Sequence, residues 1–491
     1  MLLRHFPEKE RFHQLSKAFN VVPVCSEILS DLDTPVSILE KLYQRRGPVF
    51  LLESAEGGER WGRYSFLSTS AKSQIRVFAD RIEVEENGVI SSTEHHNNPL
   101  GVLRKLMQQF RPAEIPELPR FWCGLVGYLT YEMVSFFESI PHQWPLEKPL
   151  AHFMIPDELL IFDNIRHTLQ LVSICFLSGQ ADAEREYGAA ALRIDALREK
   201  IRQPIGKPLS SAPHAPYRLT PLLPQETFCD LVRKTKNYIR EGDIIQAVLS
   251  QPFICEIAPD PVALYRAQRY INPSPYLYFF HLDDMALVGS SPETMVRLEN
   301  GIATLRPIAG TKPRGKTEQE DRELANELLA DEKEQAEHLM LVDLARNDLG
   351  RVAVTGTVEV TDLMFIERYS HVMHIVSNTR CDLKSGVDAW ELLAATFPAG
   401  TLSGAPKIRA MEIIAELEST PRGPYGGAVG YISFHGNMDM AITIRTACIQ
   451  SGRMTIQAGA GIVADSDPER ERVETVNKAM AIEKALQLLT P

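Results

Sequence analysis

The 491-residue chain has seven cysteines, and none sits in a CxxC pair or a Cys/His cluster. That spacing indicates neither a disulfide framework nor a cysteine-ligated zinc site. Positive charge is also in deficit: 52 Lys and Arg against 64 Asp and Glu leave a formal charge of −12. A nucleic-acid binder needs a basic face, so no nucleic-acid partner is expected, whereas a small anion requires only local positive groups. No apolar run is long enough to cross a bilayer, and residues 1–10 lack the apolar centre of a signal peptide. A cytoplasmic protein with no membrane partner is the expectation. Internal repeats and low-complexity tracts are missing too.

What remains is an ordinary globular composition, 44% hydrophobic and 24% charged, on a chain too long for one typical domain. The Pro- and Ser-dense stretch around Gln203-Pro204-Ile205-Gly206-Lys207-Pro208-Leu209-Ser210-Ser211 reads as a linker. It divides the chain into an N-terminal α+β region at 1–202, a linker at 203–221 and a C-terminal region at 222–491. Residues 49–54 read as a buried strand running into a turn at 55–58. Alternating Ile75, Val77 and Ile82, Val84 around Asn87-Gly88 predict a hairpin over 74–94. A second hairpin is predicted over 285–308 on Asn300-Gly301, and a meander over 427–434, 440–449 and 454–463. Helices are expected at 183–202 and 225–240. Strands joined by hairpins with helices added in blocks predict an α+β fold with antiparallel sheets.

The segment Phe397-Pro398-Ala399-Gly400-Thr401-Leu402-Ser403-Gly404-Ala405-Pro406-Lys407 is a sharply shaped loop between two apolar segments. Ala410, Ile413, Ile414 and Leu417 follow at helical spacing, with Ser403 as the expected N-cap. Such a loop suits an anion, although the same residues also make an ordinary capped loop. Gly310-Thr311-Lys312-Pro313-Arg314-Gly315-Lys316-Thr317 matches the phosphate-cradling pattern GxxxxGK[ST]. The next helix opens Glu318-Gln319-Glu320-Asp321, carboxylates where phosphates would approach, and the rest of the chain lacks the βα alternation of a nucleotide-binding sheet.

Several charged residues stand where packing residues are expected. Glu337 is in register with Met340, Leu341 and Leu344, so it needs a metal or an arginine such as Arg346. Glu474 borders the stripe of Val473, Val476 and Met480, and two helical carboxylates suit Mg²⁺ completed by water and an anionic ligand. On a strand over 440–448, Thr443 and Arg445 face one side, toward solvent or a carboxylate ligand. Gln457-Ala458-Gly459-Ala460-Gly461 lets backbone amides approach a ligand or marks a bulge. His374 lies among apolar neighbours, and Glu293 follows Ser290-Ser291-Pro292 at a strand's end. Each has a plain structural alternative: a core histidine, a turn acid.

Together with Arg306-Pro307-Ile308-Ala309-Gly310-Thr311, Glu337-His338-Leu339-Met340-Leu341-Val342-Asp343-Leu344-Ala345-Arg346-Asn347-Asp348 and Tyr425-Gly426-Gly427-Ala428-Val429-Gly430-Tyr431, these stretches resemble the chorismate-utilising enzymes. The resemblance is strongest to the large components of anthranilate synthases, and it is densest beyond residue 225. It implies a two-part, antiparallel β-sandwich-like core with flanking helices, the chorismate site lying between the parts. It implies Mg²⁺ held by Glu337 and Glu474. Arg445, Tyr425 and Gly459, Ala460 and Gly461 would hold one chorismate carboxylate, with Gly310, Thr311 and Thr401 completing the pocket. Glu293 would protonate the departing C4 hydroxyl while ammonia adds at C2, and His374 would handle the proton of the aromatising, pyruvate-releasing step.

Two positions separate the branches of that family. Where isochorismate and salicylate synthases place a lysine base, this chain has Gln246. Where aminodeoxychorismate synthases carry a nucleophilic lysine, it has Ala309, which leaves free ammonia as the nucleophile. No GxCxGxQ-like segment surrounds any cysteine, so a separate glutamine amidotransferase subunit is expected to supply ammonia. Tryptophan is the implied feedback inhibitor, bound by Ser54 together with Pro275, Tyr276 and Leu277. Leu277 replaces a more usual methionine, and Pro252 a usual arginine after Gln251. A nucleotide hydrolase using Lys316 and a non-catalytic amino-acid sensor are the readings from other classes.

Overall fold

A computed structural model describes residues 1–54, 62–178, 183–206, 216–369 and 372–490. The expected turn at 55–58, residues 207–215 of the expected linker and Ser370-His371 lie outside the described residues.

Two large antiparallel sheets dominate the chain. The thirteen-stranded sheet begins at Leu2–Phe6 and runs through Val21–Leu29, Thr168–Phe176, Glu158–Asp163, Tyr64–Ser68 and Val49–Glu53. It continues through Tyr276–Leu282, Met285–Ser291, Thr446–Gln450, Arg453–Ile462 and Gln246–Cys255. The twelve-stranded sheet joins Ala71–Val77, Ala151–Pro156 and Gly124–Leu129 to Ala428–Ser433, Met438–Ile442 and Thr294–Glu299. Each sheet draws strands from both sides of residues 203–221, for Leu277 pairs with Glu53 and Val429 with Tyr128.

Alternation along the strands assigns the faces. Val126 and Tyr128 join Leu51, Phe279 and Tyr431 in the core between the sheets, while Leu125 and Leu129 turn outward to meet Trp390 and Phe397. The turn signals read from the sequence are used as such: Asn87 and Gly88 have φ of 52° and 78°, and Asn300 and Gly301 of 53° and 81°.

Two chain segments cross from one sheet to the other, and they position the site. Met285–Ser291 belongs to the first sheet and Thr294–Glu299 to the second, so the chain crosses at Pro292-Glu293. The expected strand over 440–448 is interrupted in the same way. Met438–Ile442 lies in the second sheet and Thr446–Gln450 in the first, with Arg445 at φ 50° between them. Thr443 and Arg445 therefore do not share a strand face. The crossings run side by side: Ile442 N donates to Glu293 O at 3.0 Å and Ser290 N to Arg445 O at 3.3 Å.

The helix after the 397–407 loop is Lys407–Leu417, with Ala410, Ile413 and Ile414 buried. Ser403 does not cap it, because the Ser403 hydroxyl turns back to Ala399 O at 2.9 Å and the helix starts after Pro406.

Candidate active site

Glu293 sits at the seam where the chain changes sheets. Thr401 Oγ1 donates to its Oε1 at 2.9 Å. Burial pushes the Glu293 carboxyl up to about 7, against the Thr401 hydrogen bond and the positive charges of Arg445 and Lys478, which pull it down. Near neutral pH it is therefore a mixture of acid and carboxylate, the condition in which a carboxyl can donate a proton.

His374 lies on the strand Val372–Asp382. Its Nδ1 lies 2.9 Å from Gly310 O and 3.1 Å from Thr311 Oγ1. A carbonyl only accepts, so the Nδ1 proton points at Gly310 and Nε2 is left as the basic atom. Burial is the main cause that holds the imidazole below its ordinary 6.5, with Arg445 acting in the same direction. Gly310 and Thr311 thus orient the histidine.

Of the residues expected to touch the substrate, Tyr425 and Gly459 are brought into contact. A Cβ on Gly459 would stand 2.6 Å from the Tyr425 hydroxyl, so only glycine admits that ring. Gly461 is open for a similar reason, its missing Cβ being replaced by the Gln246 amide at 2.4 Å. Ala460 contributes backbone alone, its methyl being buried with Leu249 and Ile414.

On the helix Glu332–Gly350, Glu337 and Glu334 occupy one face. Burial raises the carboxyl of Glu337, and the charges of Glu334 and Glu474 raise it further. Burial, Asp331 and Glu474 do the same to Glu334. Arg346 does not neutralise Glu337 but pairs with Asp343 at 2.8 Å. Lys478 reaches both Glu474 and Gly459 O, each at 2.8 Å. A hard divalent cation fits this set of crowded carboxylate oxygens. Among the described residues, no three His, Cys, Asp or Glu side chains are grouped so as to hold a metal ion by themselves. Glu334 and Lys478 escaped sequence reading, although their i−3 and i+4 spacing from Glu337 and Glu474 places them on the same helix faces.

The phosphate-cradle pattern is occupied by its own helix. Gly315 N donates to Asp321 Oδ1 at 2.9 Å and Lys316 N to Glu320 Oε2 at 2.7 Å. Those amides are committed to carboxylates, which removes the nucleotide reading.

Away from this centre, Ser54, Pro275, Tyr276 and Leu277 line one cavity of about 70 Å³ with Arg120 and Asp439. Tyr276 Oη donates to Asp439 Oδ1 at 2.8 Å and lies 3.0 Å from Thr294 Oγ1, next to Glu293. All seven cysteines are free, and no described helix is long and apolar enough to cross a membrane.

The sequence matches the profile of a family described as chorismate binding enzyme over residues 48–484. The chain belongs to the chorismate-binding enzymes. Anthranilate synthase component 1 of Aquifex aeolicus (strain VF5) is 48% identical over 485 residues, covering 98% of this chain and 97% of that protein. The protein of the same name from Pseudomonas putida is 45% identical over 489 residues, 98% of each chain. Among solved structures, anthranilate synthase component I from Streptococcus pneumoniae TIGR4 matches at 36% identity with a TM-score of 0.76, over 93% of this chain and 98% of that one. The menaquinone-specific isochorismate synthase from Escherichia coli shares the fold, with a TM-score of 0.71 at 21% identity over 97% of this chain and 98% of that one. The antiparallel, two-part α+β architecture of this chorismate-binding enzyme is thus the fold of the chorismate-utilising enzymes.

Proposed function

We propose that this protein is the large component of an anthranilate synthase, converting chorismate and ammonia to anthranilate and pyruvate. Its relatives bearing that name support the reading over nearly the whole chain. The observation that carries it is local: Glu293 and His374 are each held by a named partner, and neither Gln246 nor Ala309 supplies an amine where related enzymes place a lysine. From those two positions water gains no base and the ring no protein nucleophile, which leaves ammonia as the attacking group.

In the first step ammonia bonds to C2, the ring double bonds shift and the C4–O bond breaks. Protonated Glu293 delivers its proton to that oxygen, which departs as water, and the C2 ammonium gives up one proton to leave a neutral amine. In the second step His374 Nε2 takes the C2 proton, the C3–O bond breaks and the ring becomes aromatic. The released enolpyruvate gains a proton to become pyruvate. Arg445, Tyr425 and the amides at 459–461 bind the enolpyruvyl carboxylate. Glu337 and Glu474 would hold Mg²⁺ against the ring carboxylate, and its chemistry there is to withdraw negative charge.

The absence of a glutaminase nucleophile in the sequence gives this chain a partner, an amidotransferase subunit that releases ammonia from glutamine. The cavity around Ser54, Pro275, Tyr276 and Leu277 is assigned to tryptophan as feedback inhibitor, and the setting is the first committed step of tryptophan formation in the cytoplasm. The test is pyruvate release from chorismate by the purified chain with Mg²⁺ and ammonium salts, and with glutamine instead. Release with ammonium but not with glutamine is expected. Release with neither overturns the reading.

A further inference from the structure

We propose that Lys407 and Asp348 form a buried clamp that holds Thr401 on Glu293, making both of them positioning residues for the reaction above. The inference rests on that reading of the site. Lys407 Nζ donates to Asp348 Oδ2 at 2.6 Å, to Pro398 O at 2.9 Å and to Thr396 O at 3.3 Å. An ammonium has three N–H donors, and these acceptors use all of them. Both side chains are only 11% exposed.

The partners explain what the clamp joins. Asp348 lies on Glu332–Gly350, the helix that carries Glu334 and Glu337. Thr396 ends the helix Ala389–Thr396, and Pro398 enters the loop that bears Thr401. One ammonium therefore fixes the start of the loop to the carboxylate helix. The loop lies flat on that helix, for a Cβ on Gly400 would stand 2.9 Å from Leu344 Cδ1. Its other end is held by Arg422 Nη1, which donates to Leu402 O at 2.6 Å. Thr401 is the residue between those two anchors, and Glu293, Asp348 and Thr401 line one small cavity.

A buried ion pair adds little net stability over apolar residues of the same shape, whereas removing one partner strands a charge. The informative variant is thus the double replacement Lys407→Met with Asp348→Leu, checked for intact fold by its thermal transition. With ammonium as nitrogen source, kcat is expected to fall on the order of 10²-fold through misplacement of the loop. Chorismate KM should stay within about threefold, because the carboxylate contacts lie elsewhere. Adding Thr401→Val to the double variant should cost little more, since both changes remove the same hydrogen bond. Unchanged kcat in the folded variant, or effects that multiply, would overturn the clamp.

A second readout does not depend on the product. The Glu293 carboxyl, followed by ¹³C NMR and identified against Glu293→Gln, should titrate at higher pH in the double variant, as in Thr401→Val. An unshifted titration refutes the clamp whatever the wild type makes from chorismate. A wild type that makes no anthranilate but shows the shift refutes only the assigned reaction.

Discussion

Thr401 and Glu293 are 108 residues apart, yet the threonine hydroxyl donates to the buried carboxylate at 2.9 Å. This contact joins the Pro/Gly-rich loop to the point where the chain crosses between sheets. It places a hydrogen-bond donor against the one carboxyl that burial pushes up to about 7 at the centre of the site.

The pH dependence follows with its sign. Glu293 works as an acid, so its active form is lost as pH rises through about 7. His374 works as a base, and its lowered pKa leaves it neutral down to below the ordinary 6.5. At constant free ammonia, kcat/KM for chorismate is expected to be bell-shaped with its alkaline limb near pH 7. Glu293→Gln should lower kcat by about 10²- to 10⁴-fold and abolish that limb. A variant keeping the limb shows that another group is the acid.

Magnesium dependence is tested on the carboxylates. Glu334, Glu337 and Glu474 repel one another. Glu337→Gln should therefore raise the thermal midpoint in EDTA and remove the further rise that Mg²⁺ gives the wild type. Activity should require at least about tenfold more Mg²⁺, as for loss of a metal contact. An unaltered Mg²⁺ shift in this variant places the cation elsewhere.

The pocket of Tyr276 predicts an inhibition phenotype. Its hydroxyl bonds to Asp439 and touches Thr294 beside Glu293. Tyr276→Phe leaves Asp439 without that donor, and the tryptophan concentration for half-inhibition should rise about tenfold, the equivalent of one buried hydrogen bond. Inhibition equal to wild type would separate this cavity from the effector.

Stability has its own pH signature at Glu132. Its Oε1 accepts from Arg422 N at 2.7 Å and Gly423 N at 3.0 Å, and burial pushes the carboxyl from 4.5 up to about 7. Between those values the folded chain holds more protons than the unfolded one, so stability falls as pH rises through that window. The loss at this site is about 3 kcal/mol, at 1.36 kcal/mol per unit. Glu132→Gln keeps the acceptor and drops the charge, so its midpoint at pH 8 should exceed that of the wild type by a few degrees. Equal midpoints at pH 5 and pH 8 in the wild type would contradict this account.

The sequence made local chemistry legible and long-range pairing illegible. Asn87-Gly88 and Asn300-Gly301 announced their turns because positive φ demands particular residues. The helical registers of Glu337 and of Ala410, Ile413 and Ile414 followed from a period of 3.6. The interruption at Thr443-Ile444-Arg445 was hidden, since an alternating apolar pattern looks alike whether a strand continues or changes sheets. Ser403 resembled an N-cap by type, but its hydroxyl is taken by Ala399 O. Lys407, Asp348 and Arg422 gave no signal either, because a buried charge is recognised by partners that only folding brings near. Ala309 and Gln246 were informative through what they lack, which resemblance to a family made visible and periodicity alone did not.

The central claim is that free ammonia is the nucleophile and that the ring becomes aromatic in the same site. It is tested most directly by incubating the purified chain with chorismate, Mg²⁺ and ¹⁵N-ammonium and identifying the product by mass and retention. The account predicts anthranilate carrying one ¹⁵N, with an equal amount of pyruvate. Aminodeoxychorismate, isochorismate or salicylate as the main product would contradict it.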